Sequence, residues 1–182
     1  MPQLIYSPTS PYARKCRILV RELGLSPAIT ETDANPFGDG DVLLRANPLG
    51  RVPCLVMDDG RALTESTLIG AWLNARAANP WLSDWDDRRL EALGHGLLDL
   101  AVARRVEMVR EEGLLCDYWI TRRERAILRA LDELEAEAFG QGDRRHRRDY
   151  ATACKGSRGM LGPGCNFVAC SYLSIPLPRH TR

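Results

Sequence analysis

Apolar and polar positions switch between a period of two and a helical period along the first 140 residues. Gln3 to Tyr6 reads as a short strand. Ser7-Pro8-Thr9-Ser10-Pro11 is a turn, and Pro11 fits the first position of a helix. From Tyr12 to Leu23 the residues Tyr12, Cys16, Leu19, Val20 and Leu23 recur at helical spacing, and Gly24 supplies a stop. Ala28 to Thr32 predicts a second strand. Asp41 to Ala46 predicts a short helix ended by Asn47-Pro48. Cys54-Leu55-Val56-Met57 and Arg61-Ala62-Leu63 predict two strands joined by Asp58-Asp59-Gly60, a hairpin signal. Thr64-Glu65-Ser66 precedes an apolar-periodic helix, Leu68 to Ala77, for which Ser66 is a good N-cap. The order β-α-β-α-β-β-α suits a small mixed sheet with helices on both faces.

Asn79-Pro80 is a natural boundary. Beyond it the spacing predicts two long helices. Asp84 to Glu112 carries Leu90, Leu93, Leu97, Leu98, Ala101 and Val102 on one stripe. Cys116 to Phe139 carries Ile120, Ile127, Leu128, Leu131 and Leu134. Gly140-Gln141-Gly142 stops the second helix, and neither period continues after it.

Composition changes this picture in one place. The 182 residues suffice for one large domain or two small ones, and the net charge is only +1. That balance hides an asymmetry. Residues 1–140 carry 17 Lys+Arg against 22 Asp+Glu, a net −5, and residues 141–182 carry 8 against 2, a net +6. The tail also holds glycine-rich and proline-bearing stretches, so it is expected to be atypical, out of frame or loosely packed. Its basic run, Asp143 to Arg148, has no interleaved aromatic residue, which argues against nucleic acid as a partner. No run of about 18 apolar residues predicts a membrane span, and the N-terminus does not read as a signal peptide. Six cysteines without a CxxC pair argue against a zinc site or dithiol motif and for reduced thiols in a cytosol.

The stretch that carries most chemistry is Asn47 to Ser66. Val52-Pro53 opens a strand, where proline belongs because it donates nothing to the ladder. An X-Pro bond at such a place can be cis. The hairpin follows, then an acid–serine pair at a helix N-terminus, a ready anion site. This order of turn, strand-opening proline, hairpin and Glu65-Ser66 resembles the thioredoxin-like domain of glutathione S-transferases. The two long helices resemble that family's all-α domain.

The resemblance covers residues 1–139 and implies a fold, a ligand and a site. The fold is an α/β thioredoxin-like N-terminal domain, residues 1–78, followed by an all-α domain, residues 84–139. The all-α domain is incomplete, because residues 141–182 lack the Ser/Thr-x-x-Asp capping box of the family's buried helix. Glutathione is implied as cosubstrate, with no metal, and a small apolar electrophile as the second substrate. A cytoplasmic homodimer in detoxification is implied with it. Pro53 is the family's cis proline, and Val52 offers its backbone to the cysteinyl part of glutathione. Glu65 pairs with the ammonium, Ser66 with the γ-glutamyl carboxylate, and Arg51 reaches the glycine carboxylate. A non-catalytic interaction module, or a truncated and inactive transferase, is the alternative.

At the start of the first helix Ser10 takes the place where thioredoxins keep a reactive cysteine. A serine hydroxyl forms no mixed disulfide, so the position argues against disulfide exchange. It can instead donate to a bound thiolate. A thiol of pKa about 8.5 needs about 2.7 kcal/mol of preference for its anion to fall two units. One hydrogen bond to a charged group contributes about 1.5–3 kcal/mol, and a helix N-terminus about 0.3–1. The N-cap role and the thiolate role draw on the same oxygen. Tyr6, Ser7 and Thr9 are rivals for the thiol, Tyr6 through its strand-end hydroxyl. Arg104, Arg105, Tyr118 and Trp119 are candidates for an electrophile pocket, with Arg104-Arg105 also readable as a solvated face. Cys54 and His95 read as structural residues.

Overall fold

A computed structural model describes residues 1–38, 40–81, 84–111 and 113–140, without the side chains of 138–140. The expectation made for residues 141–182 falls outside these described residues. The chain divides into two compact units, Met1–Arg88 and the residues from Arg89 onward.

In the first unit, strand β1 (Gln3–Tyr6) leads into helix α1 (Pro11–Glu22). A single helical turn, Ser26–Ala28, precedes strand β2 (Thr30–Asp33). Helix α2 (Asp41–Ala46), strands β3 (Cys54–Val56) and β4 (Ala62–Thr64), and helix α3 (Ser66–Asn74) follow. The sheet order is β2-β1-β3-β4. β1 runs parallel to β2 and antiparallel to β3, and β3 runs antiparallel to β4.

Register divides the core between two faces. Leu4, Leu55 and Leu63 lie opposite one another across three strands, and directly opposed residues share a face. Alternation sends Ile5 and Cys54 to the other face. There they pack with Leu43 of α2 and with Val52. Ala13, Cys16, Leu19 and Val20 of α1 and Ile69 and Leu73 of α3 are also buried.

Several predicted boundaries shift: β4 runs Ala62–Thr64 rather than from Arg61, α3 ends at Asn74 rather than Ala77, and the long helix predicted to end at Glu112 ends at Met108. β2 starts at Thr30, not Ala28, because Ser26–Ala28 form a helical turn with Pro27 inside it. Thr30 is the first residue in register with β1, opposite Gln3. Helix α3 starts at Ser66 with Glu65 as its cap, rather than with Ser66 as cap. The carbonyl of Glu65 already accepts from Ile69 N–H at 3.0 Å, which makes it the first helical acceptor.

Helix α4 (Trp85–Met108) crosses into the second unit, and helix α5 (Asp117–Gly140) lies within it. Leu90, Leu97 and Ala101 pack with Ile127, Leu131 and Leu134. Toward the α4–α5 connection, charge takes over from apolar contact. Arg104 is buried and donates to Glu124 at 2.8 Å, so it is not a solvated face. Glu107, also buried, accepts from Cys116 N–H at 3.2 Å and pairs with Arg123 and Arg110. Leu128, placed on the apolar stripe by spacing, is exposed instead. No described helix is long and apolar enough to cross a membrane.

Candidate functional site

The sheet register brings three chain segments to one edge. Ile5, Cys54 and Thr64 form a row across β1, β3 and β4. One step beyond that row, β1 leaves through Tyr6 toward Ser7–Ser10, β3 is entered through Val52-Pro53, and β4 leaves through Glu65 into α3. Ser10, Val52, Pro53, Glu65 and Ser66 therefore gather at the same end of the sheet. Sequence spacing alone gives no such convergence.

Ser10 caps α1, accepting Ala13 N–H on Oγ at 3.2 Å. Its carbonyl accepts Arg14 N–H, and its own N–H donates to Ser7 C=O. A hydroxyl has both lone pairs and a proton, so capping leaves that proton available for donation. The two roles that draw on one oxygen are compatible. Ser7 and Thr9 share a hydrogen bond at 3.1 Å between their hydroxyls, and Ser7 is buried.

The ring of Tyr6, which is half-buried, lies against Arg17. The Arg17 guanidinium lies 4.0 Å from its ring centroid. Arg17 and Arg21 both donate to Glu31. Burial pushes the Glu31 carboxyl upward, but the hydrogen bonds from Arg21 and Arg17 outweigh it and hold it below the ordinary carboxylate range.

The turn before Pro53 is built by a residue that the sequence did not single out. Asn47 is buried, and its side chain donates to Arg51 C=O at 2.8 Å and accepts from Leu49 N–H at 3.1 Å. Gly50 closes the turn at φ 62, a conformation that favours glycine. The Val52-Pro53 bond is cis, and Val52 is largely buried. The Arg51 side chain is exposed.

At α3, Glu65 holds φ 78 and its Oε1 accepts Ser66 N–H at 2.8 Å. Ser66 is fully buried, and its Oγ has no hydrogen-bond partner among the described residues. A buried hydroxyl left unmet is costly unless a ligand meets it. Cys16, counted from sequence only as part of a helical stripe, reaches from α1 to Ser66 C=O with its thiol at 3.7 Å. Asn47 and Cys16 both escaped the sequence reading because a positioning residue carries no motif. Their only signal was a polar or thiol side chain at a place destined for burial.

Cys54 lies one residue beyond the cis proline, but burial pushes its thiol up to about 11. Its Sγ donates to Ala46 C=O at 3.6 Å. A thiol so placed is not a nucleophile near neutrality. Replacing Cys54 by Ala should leave native-state labelling by an aromatic disulfide reagent at pH 7.5 unchanged. A drop of one fast-reacting thiol would show Cys54 to be accessible and ionised.

Of the candidates in the second unit, Tyr118 and Trp119 are exposed and meet edge to face at 5.2 Å. Arg105 is half-buried, while Arg104 is committed to Glu124. His95 lies 4.0 Å from Asp99, one turn along α4. Among the described residues no group of three or more His, Cys, Asp or Glu is placed to hold a metal ion.

A mixed four-stranded sheet with a cis proline opening β3 and helix α3 leaving β4 through Glu65-Ser66 defines a thioredoxin-like domain. A family model described as the glutathione S-transferase N-terminal domain matches residues 9–76. The chain is 30% identical over 140 residues to an uncharacterized GST-like protein, YibF, of Escherichia coli K12, covering 73% of this chain and 68% of that protein. The chain belongs to the glutathione S-transferase family.

Solved structures agree. A family member from Pseudomonas fluorescens Pf-5 with bound glutathione is 28% identical at a TM-score of 0.75, covering 86% of this chain and 82% of its own. A glutathione S-transferase from Methylobacillus flagellatus KT with glutathione bound is 26% identical at 0.78, covering 94% and 93%. One from Methylobacterium radiotolerans JCM 2831, in complex with glutathione sulfonate, is 32% identical at 0.73, covering 85% and 77%.

Proposed function

We propose that this protein is a glutathione transferase that activates the thiol of glutathione for attack on a small apolar electrophile. The observation that carries the reading is the fully buried Ser66 Oγ, without a hydrogen-bond partner among the described residues, at the N-terminus of α3, on the sheet edge shared with Ser10 and Val52. Three similar structures hold glutathione or glutathione sulfonate, which supports the same ligand here.

In this reading the γ-glutamyl carboxylate takes the Ser66 hydroxyl and the positive end of α3. The ammonium pairs with Glu65. The backbone of Val52 pairs with the cysteinyl residue, and Arg51, exposed beside it, reaches the glycine carboxylate. The thiol then lies at Ser10, whose hydroxyl proton stabilises the thiolate once the thiol proton has passed to solvent. The thiolate displaces a leaving group from the electrophile or adds to it. Tyr118 and Trp119 are the exposed aromatic candidates for contact with that second substrate. Self-association belongs to the same proposal, with Trp85 among the exposed apolar residues available for it.

Calorimetric titration of glutathione into the full chain tests the reading, and absence of binding at millimolar glutathione would reject it. Ser10→Ala should raise the pKa of the bound thiol by about one unit, which corresponds to about 1.4 kcal/mol. The change is read from thiolate absorbance, with the dissociation constant little altered. If Tyr6→Phe produces the shift and Ser10→Ala does not, Ser10 is not the thiol's partner.

A further inference from the structure

The turn between α2 and β3 is wound around one buried carboxamide. Asn47 is 2% exposed and ends α2, its N–H donating to Leu43 C=O at 2.7 Å. Its C=O accepts Gly50 N–H at 2.9 Å. Its side chain spans the rest of the turn. Oδ1 accepts Leu49 N–H at 3.1 Å, and Nδ2 donates to Arg51 C=O at 2.8 Å. One partner is a donor and the other an acceptor, so a carboxamide serves both. An ionised aspartate would set an oxygen against the Arg51 carbonyl instead. Arg51 C=O and Val52 N–H belong to one peptide unit. That unit is trans, because the cis bond of this stretch is the next one, Val52-Pro53. In a trans unit the carbonyl and the N–H point in opposite directions. Holding Arg51 C=O on the Asn47 amide therefore aims Val52 N–H away from the turn. No described residue accepts a hydrogen bond from it.

We propose, building on the glutathione reading, that Asn47 is a positioning residue for glutathione. Through the Arg51 carbonyl it aims Val52 N–H at the carbonyl of the ligand's cysteinyl residue. Asn47 lies buried inside the turn and does not itself touch the ligand. Its contribution is orientation. A lone peptide unit between a glycine-bearing turn and a proline can rotate about its flanking bonds, and the Asn47 amide removes that freedom before the ligand arrives. A donor already aligned costs less ordering on binding than one that must be aligned by the ligand. Without the amide, Val52 N–H leaves the line of the ligand carbonyl. The effect is then confined to the hydrogen bond that this one donor makes.

The experiment uses the full chain and two probes. One is glutathione. The other is an analogue in which a trans double bond replaces the amide between the cysteinyl and glycyl residues, so that the shape is kept and the carbonyl acceptor is gone. Affinities are measured by calorimetry for the wild type, Asn47→Ala and Asn47→Ser, with urea midpoints to show that each is folded. Serine can still accept Leu49 N–H within the turn but is too short to reach Arg51 C=O, so Asn47→Ser carries the test where Asn47→Ala does not fold. The wild type should prefer glutathione to the analogue by about fivefold, the effect of one hydrogen bond. In both variants that preference should fall close to one, because glutathione binds more weakly while the analogue is little affected. Variants that weaken both probes equally and keep the wild-type preference would make Asn47 a residue of the fold only, and would overturn the proposal. So would variants that bind both probes as the wild type does. A wild type that binds glutathione and the analogue alike would show that Val52 N–H is not the ligand's donor, which ends the proposal while the glutathione reading stands. A wild type that binds no glutathione removes both.

Discussion

Leu55→Ala should destabilise the chain by about 2–5 kcal/mol, the range for truncating a fully buried leucine to alanine. Leu55 lies on β3, a central strand of the sheet, and is completely buried. Its register partners Leu4 and Leu63 share its face. Deleting its side chain opens a cavity where those neighbours cannot easily collapse, because the strand ladder holds all three in place. Chemical denaturation with urea reads the loss as a lower midpoint at constant slope. Leu68→Ala is the control. Leu68 is also a leucine in a regular element of the first unit, but it is 52% exposed, and its loss should change stability by no more than about 0.5 kcal/mol. Equal effects of the two substitutions would mean that the core does not lie on the face assigned to it.

Ser66→Ala should act on binding and stability in opposite directions. In the protein alone, Ser66 Oγ is buried without a partner among the described residues. Removing an unmet polar atom from an interior relieves a desolvation cost, so the melting temperature should hold or rise. Glutathione binding should weaken by about 1–3 kcal/mol, because the ligand carboxylate loses a donor in a secluded place. At about 1.4 kcal/mol per factor of ten, that is roughly 5- to 150-fold in dissociation constant. Thermal melting and calorimetric titration on one preparation check both signs. Unchanged affinity in both Ser66→Ala and Glu65→Ala would remove the assignment of this edge as the glutathione site. A fall in stability would show that Ser66 Oγ holds the fold together rather than waiting for a ligand.

Much of the fold was legible because its signals are local. Pro11 and Gly24 bracket α1, Asp58-Asp59-Gly60 marks the hairpin, and Asn47-Pro48 ends α2. Each is a backbone preference that a residue carries with it. The misplaced boundaries are those that a neighbour sets. β2 carries no strong apolar alternation, so its first residue is defined by pairing with Gln3 of β1. The cap of α3 moved from Ser66 to Glu65 because the Glu65 carbonyl, accepting Ile69 N–H, is the first helical acceptor, a backbone geometry that no spacing encodes. Leu128 has the right period for the α5 stripe yet lies outside it, and Arg104 has the look of a surface residue yet is buried. Both depend on which face of each helix meets the other. An isolated helix does not know this.

Sequence by itself determined which segments become strands and helices and which residue types stand at the turns. It also determined that a strand-opening proline, an acid–serine pair and a serine at a helix start occur in one chain. Those are properties of single residues and their near neighbours, governed by backbone preference and hydrophobic period. Only the tertiary structure decided that the three segments meet. The pairing of Ile5 with Cys54, 49 positions further along the chain, and of Cys54 with Thr64 carries distant segments to one sheet edge. Tertiary packing also decided that Tyr6 is covered by Arg17, that the Cys54 thiol is shut away, and that Asn47 holds the turn before Pro53. Exposure and partnership are relations between distant parts of a chain. They come into being when the chain closes on itself.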